Sequence, residues 1–316
     1  MIVLLAFVGG LSGGFPGRTE GASAGRDGRL IWVQSEYSSG GGMVQPTVSY
    51  FVVQRPAPGE RRDQVGEMEC GLSVDAGPRG LCPFADPGIS PDGKTVAVGT
   101  ARALTDSSNP PRRSVLALED ADAGRANGTA LPDLTEADSD PAWAPDGGRL
   151  VFVGRVDGVT DLFVVDVSGA NLRRLTFDAV VESDPVWSAR GEIAFERKKG
   201  LWSIHENGTG LRRLARRGAN PDWSPAGSRL IFDRDTRIYT ISRTGARLRR
   251  LASRGTYPAW SPSGRRIAFR YRYDIYTART NGTRRKRVYN WPRPRGPSSF
   301  ARTHAPRDID WGPRQR

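Results

Sequence analysis

Histidine occurs only twice in this chain, at His205 and His304, cysteine only at Cys70 and Cys82, and lysine four times in 316 residues. So little histidine leaves few groups for acid–base or metal chemistry, and no His and Cys pair has metal-ligand spacing. His205, alternating with apolar residues, is expected to be a partly buried strand residue. No segment sustains a helical period, and no apolar run is long enough to cross a bilayer. Phosphate-binding glycine loops are also missing: Lys94, in Pro91-Asp92-Gly93-Lys94, follows a turn and lacks the phosphate-loop context. Gly10-Leu11-Ser12-Gly13-Gly14 has the form of a nucleophile elbow, but it lies in an N-terminal leader and is set aside.

What the chain does have is a recurring phrase, Pro-x-Trp-Ser-Pro-x-Gly-x-x-Ile-x-Phe. Its clearest copies are Pro141-Ala142-Trp143-Ala144-Pro145-Asp146-Gly147 to Phe152, Pro221-Asp222-Trp223-Ser224-Pro225-Ala226-Gly227 to Phe232, and Pro258-Ala259-Trp260-Ser261-Pro262-Ser263-Gly264 to Phe269. Pro185 to Phe195 has lost one turn residue, and Pro87 to Val98 replaces both aromatics. The anchors Ile89, Trp143, Trp187, Trp223, Trp260 and Trp311 are 54, 44, 36, 37 and 51 residues apart, a period that belongs to solenoids or propellers. Each phrase is followed by a second apolar run, such as Asp274-Ile275-Tyr276-Thr277, then a Gly turn and a short Leu-Arg-Arg-Leu-like run. Short segments rich in β-branched and aromatic residues, bounded by turn residues, read as strands. The expected fold is all-β: a six-bladed β-propeller of four-stranded blades.

The ends complete the pattern. Asp308-Ile309-Asp310-Trp311-Gly312-Pro313 begins a sixth phrase without its following strand, and Asp27-Gly28-Arg29-Leu30-Ile31-Trp32 supplies that half. The C-terminal strand is therefore expected to close the ring in one blade with strands near Leu30–Gln34, Tyr50–Gln54 and about Arg62–Gly66, so that no edge stays open. Residues 25–316 form one domain on this reading. Residues 1–24 are expected to be a signal peptide, with the apolar core Ile2–Val8 and the small-x-small site Ala22-Ser23-Ala24; its positive n-region is missing, which implies either a truncated start or a less efficient signal. The alternative is an N-terminal extension on a cytosolic protein. In an exported chain Cys70 and Cys82 are expected to form one local disulfide; in a cytosolic one they stay free thiols.

The Trp-Ser-Pro-x-Gly-x-x-Ile-x-Phe phrase, the Asp-Ile-Tyr strand and the Gly-x-x-Arg-Arg-Leu ending resemble the TolB-type, WD-like propeller repeat, strongly over about residues 86–287. The resemblance implies a binding or scaffolding platform outside the cytoplasm. The α/β domain that precedes the propeller in the periplasmic Tol protein has no counterpart in this sequence, nor does a hydrolase domain.

The formal net charge is +13, carried by 43 Arg and four Lys. Part of that excess reflects composition; the rest favours anionic polymers, acidic glycans or lipid headgroups over nucleic acid. The pairs Arg173-Arg174, Arg212-Arg213, Arg249-Arg250 and Arg284-Arg285 are placed on the outermost strands, where charge keeps edges from pairing. Asn127, Asn207 and Asn281 match the glycosylation sequon, but each belongs to a tight Asn-Gly turn.

One constellation points to a site. Three residues before each anchor stand Asp86, Asp140, Asp184, Asn220, Tyr257 and Asp308. At the start of each innermost strand they would ring one mouth of the central channel, giving an acidic opening on a basic body. That opening is expected to receive a cationic segment of a protein or peptide partner; the competing expectation is that each Asp simply satisfies the loop between two blades. No catalytic residue, cofactor or metal site is assigned, and a divalent cation at the mouth has no motif behind it. The expected function is an exported, monomeric, non-enzymatic binding module, with a carbohydrate-active or lyase-like enzyme using channel carboxylates and an anionic-polymer binder as alternatives.

Overall fold

The computed structural model describes residues 29–40, 43–53, 82–102, 113–120, 129–252, 254–272, 274–289 and 307–312, and among these there are strands and turns but no helix. Short runs of two to eight residues, most of them rich in β-branched and aromatic side chains and separated by Gly and Pro, fold back on one another as antiparallel meanders. The first meander is β3 (Cys82–Ile89), β4 (Thr95–Arg102), β5 (Arg113–Asp120) and β6 (Thr129–Ala130). The second is β7 (Ala137–Trp143), β8 (Arg149–Val156), β9 (Val159–Asp166) and β10 (Arg173–Arg174). The third is β11 (Glu182–Trp187), β12 (Glu192–Arg197), β13 (Gly200–His205) and β14 (Arg212–Ala215). The fourth is β15 (Ala219–Trp223), β16 (Arg229–Arg234), β17 (Arg237–Ser242) and β18 (Arg249–Ala252). The fifth is β19 (Thr256–Trp260), β20 (Arg266–Tyr271), β21 (Asp274–Arg279) and β22 (Lys286–Tyr289).

The expectation of six four-stranded blades is overturned: among the described residues the propeller has five. The chain ends meet instead in a three-stranded sheet of β2 (Met43–Val53), β1 (Arg29–Gly40) and β23 (Arg307–Gly312), in that order. The reason lies in the turn signals. After Arg29 the first strong one is the glycine run beginning at Gly40, so β1 extends for 12 residues and pairs with β2 from Leu30↔Val53 to Gly40↔Met43. Its other edge takes β23, with Leu30 opposite Trp311. The strand expected at residues 62–66 lies outside the described residues, as do the leader expected over 1–24 and Cys70. Cys82 is in β3, but its side chain is not among those described.

The six inner strands β3, β7, β11, β15, β19 and β23 pack side by side and close a circle, with β23 against both β19 and β3. Between blades lies the apolar core. Trp187 and Phe195 join Val151, Leu162 and Leu175 of the preceding blade, and Trp223 and Phe232 join Ala194, Leu201 and Leu214. Phe152, Phe195, Phe232 and Phe269 are fully buried, each worth roughly 1.5–3 kcal/mol of transfer free energy. The third, fourth and fifth blades each lay a turn over the preceding one. Gly208, Gly245 and Gly282, at φ 85°, 81° and 85°, sit on Leu175, Leu214 and Leu251 at equivalent places.

Two outer-strand arginines tie blades together: Arg173 donates to the Glu206 carbonyl and Arg212 to the Arg243 carbonyl at 2.8 Å, each in the next blade. Arg284-Arg285 precedes β22 rather than lying on it. The register equivalents of Arg173-Arg174 are Lys286-Arg287, because Thr277 pairs with Lys286 as Val164 pairs with Arg173. His205 is exposed, not partly buried, because it closes β13 and its backbone N–H turns into the Thr209 carbonyl at 2.8 Å.

Candidate functional site

The inner strands share a backbone irregularity that builds the channel mouth. In β7, β11, β15 and β19 the ladder slips at the residue before the inner Pro, between Ser139 and Ala142, Ser183 and Val186, Ala219 and Asp222, and Thr256 and Ala259. The slipped residues are Asp140, Asp184, Asn220 and Tyr257, with φ of 49°, 48°, 50° and 51°. Left-handed backbone is tolerated best by Asp and Asn among non-glycine residues, so the bulge itself favours the side chains found there. Tyr257 is held in the same conformation with Arg270 over its ring, Cζ 4.6 Å from the centroid.

All four residues line a single cavity of about 400 Å³ running down the channel. The structure therefore brings Asp140, Asp184, Asn220 and Tyr257 together as the repeat spacing implies. Asp86 lies within β3 and Asp308 within β23, each three residues before its anchor, but their side chains lie outside the described residues.

At Asp184, Asn220 and Tyr257 the bulge turns a backbone N–H toward the preceding blade, and carboxylates receive all three. Asp140 Oδ2 accepts from Asp184 N at 3.4 Å, Glu196 Oε1 from Asn220 N at 2.5 Å, and Asp233 Oδ1 from Tyr257 N at 3.1 Å and from Asn220 Nδ2 at 2.6 Å. Glu196 and Asp233 directly follow the buried Phe195 and Phe232, and their positions in the neighbouring blades hold Val153 and Arg270. With no consensus there, the repeat gave no signal for them.

Crowded carboxylates shift one another. Burial, then the charge of Asp184, pushes the Glu196 carboxyl up to about 8; Asp184, buried and facing Asp140, is also raised, and the two side chains hydrogen-bond. Burial lifts Asp233 to about 6, against its hydrogen bonds from Asn220 and Tyr257. The raised values of the Glu196–Asp184 pair favour a proton held between the two carboxyls, and the mouth then carries less negative charge than its composition implies.

A second acidic level lies deeper, at the residue just before the anchor. Asp222 accepts from Trp260 N at 2.5 Å and Asp310 from Ile89 N at 2.9 Å, and both line the cavity. Burial first, and the charge of Asp310 after it, holds Asp222 well above the usual carboxylate range. The other blades have Gly88, Ala142, Val186 and Ala259 there, so this level too escaped the repeat. Around it stand the anchor tryptophans. Trp143 Nε1 donates to Gly88 O at 2.8 Å, while the buried Nε1 atoms of Trp187, Trp223 and Trp260 have no protein partner. No cluster of three or more metal-ligating side chains occurs among the described residues. The arrangement can bind cations, hold a proton and accept hydrogen bonds.

No protein-family model matches the chain. A 45-residue stretch is 40% identical to the Tol-Pal system protein TolB of Anaeromyxobacter dehalogenans, spanning 14% of this chain and 10% of that protein. Among solved structures, TolB from Acinetobacter baumannii superposes over 91% of this chain and 67% of its own, with a TM-score of 0.61 at 16% identity. The hydrazine synthase of Kuenenia stuttgartiensis is as similar in shape, with a TM-score of 0.61 over 92% of this chain and 48% of its own at 11% identity. The same architecture thus serves enzymes as well. In fold, this chain is a TolB-like β-propeller.

Proposed function

We propose that this propeller is an extracytoplasmic, non-enzymatic module that binds a protein or peptide partner, taking a cationic segment of that partner into the acidic channel mouth. The observation that carries the reading is the convergence of Asp140, Asp184, Asn220 and Tyr257 on one cavity of about 400 Å³, with Asp222 and Asp310 below them. A cavity of that size accommodates one or two side chains of an inserted segment, and six oxygen-bearing side chains favour an ammonium or guanidinium. The apolar leader in residues 1–24 supports the extracytoplasmic setting. Glu196 and Asp184 are engaged with each other, which favours binding over acid–base catalysis.

The test is fluorescence anisotropy with labelled peptides alternating Gly with Lys or Arg, set against the same peptides carrying Glu. Binding of the basic peptides that weakens with added salt supports the reading; equal affinity for basic and acidic peptides removes it.

A further inference from the structure

The connection from β10 to β11, residues 175–181, is one residue longer than that from β6 to β7, 131–136, and more than twice as long as that from β14 to β15, 216–218. The longer segment is polar inside and apolar outside. Thr176 and Glu182 are buried, the Thr176 hydroxyl donates to Glu182 Oε2 at 2.6 Å, and buried Arg197 reaches Glu182 Oε1 at 2.6 Å and also holds Asp178. Arg174, paired with the fully buried Asp161 at 2.5 Å, donates to the Thr176 carbonyl at 2.9 Å and underlies the Phe177 ring, Cζ 5.2 Å from its centroid. Braced in this way, Phe177 and Val181 are 73% and 71% exposed, and no other large apolar side chain among the described residues reaches half exposure.

The tip has cationic neighbours at the same end of the propeller. The β12–β13 turn carries exposed Lys198 and Lys199, the β14–β15 connection exposed Arg216 and Arg217, and the two are joined by Gly218 N donating to Lys199 O at 3.2 Å. Asp178, the acid of the tip, is engaged by Arg197. Neither Phe177 nor Val181 lines the channel cavity. A rigid protein partner would need a pocket fitted to each projecting side chain, whereas a bilayer interface accepts them without one. Basic residues around an apolar tip match an anionic headgroup layer.

We infer that this end of the propeller docks peripherally on an anionic lipid surface, with Phe177 and Val181 entering the boundary between headgroups and acyl chains and Lys198, Lys199, Arg216 and Arg217 meeting lipid phosphates. The inference does not depend on the channel reading, since none of these residues belongs to the cavity.

Co-sedimentation with phosphatidylcholine vesicles, and with vesicles of phosphatidylcholine and phosphatidylglycerol mixed, tests it. The protein is expected to bind the mixed vesicles alone. A Phe177→Ser, Val181→Ser variant is expected to bind roughly tenfold or more weakly at an unchanged melting temperature, and a Lys198→Glu, Lys199→Glu variant to lose binding at low salt. Failure to bind mixed vesicles, or full binding by the serine variant, overturns the inference. So does retention on soluble polyglutamate, undiminished by the serine substitutions, in a protein that ignores vesicles, because the surface then recognises charge alone.

Discussion

Glu196 and Asp184 hydrogen-bond to each other at the channel mouth, while Glu196 also accepts the backbone N–H of Asn220 from the next blade. One carboxyl thus joins two strands of its own blade to a third strand beyond it. Its proton becomes part of the fold.

Stability should accordingly fall as pH rises. The folded state raises the Glu196 pKa to about 8 from an ordinary value of 4.5, so over that window unfolding releases a proton. The stabilisation is complete below the ordinary glutamate value and is lost as pH rises through the folded one. Asp233 and Asp138, each raised to about 6 by burial, add to the same trend in its lower half. Melting temperatures across the range should decline toward pH 8, and Glu196→Gln, which keeps an acceptor for Asn220 N–H and a donor toward Asp184, should flatten the part above about pH 6. An unchanged slope in that variant would mean another group carries the proton.

Asp222 separates charge from hydrogen bonding. Its carboxyl is raised well above the usual range and its oxygen accepts from Trp260 N. Asp222→Asn should leave stability nearly unchanged, since the amide oxygen replaces the acceptor. Asp222→Ala should cost about 1–3 kcal/mol in urea denaturation, because the Trp260 N–H is then left without a partner inside the protein.

The turn laid by one blade on another is tested by two glycines. Gly282 and Gly158 both have positive φ, 85° and 73°, but a Cβ on Gly282 would lie 2.1 Å from Leu251 O, while one on Gly158 meets nothing within 4 Å. Gly158→Ala should cost roughly 1–2 kcal/mol of backbone strain. Gly282→Ala should cost at least twice as much by the same denaturation measurement, since it must also part the two blades.

The strands next to the Trp phrase were legible in the sequence because their residues are bound to the ring's geometry: Trp187 and Phe195 fill one inter-blade space and Trp223 and Phe232 the next. The three-residue offset that locates Asp140, Asp184, Asn220 and Tyr257 was legible for a similar reason, since a bulge in left-handed backbone selects residues that tolerate it. Glu196, Asp233, Asp222 and Asp310 were not. They occupy positions where geometry admits Val, Arg, Gly or Ala as readily, so they belong to this chain rather than to the repeat. The count of four-stranded blades failed where the repeat itself stops: the sheet at the chain ends keeps the blade order β23, β1, β2 but has three described strands, two of them long because no strong turn signal interrupts β1 before Gly40. The exposed tip at Phe177 was likewise hidden, since it lies in a connection between blades that the Trp phrase does not reach.

The central claim is that the carboxylates at the channel mouth receive a cationic segment. Anisotropy titration of a labelled Lys/Arg-containing peptide into the wild-type propeller and into an Asp140→Asn, Asp184→Asn variant of matching melting temperature tests it most directly. Loss of two carboxylates should weaken binding by roughly tenfold or more, as expected where charged hydrogen bonds of about 1.5–3 kcal/mol are reduced to neutral ones. Identical titration curves for the two proteins would contradict the account.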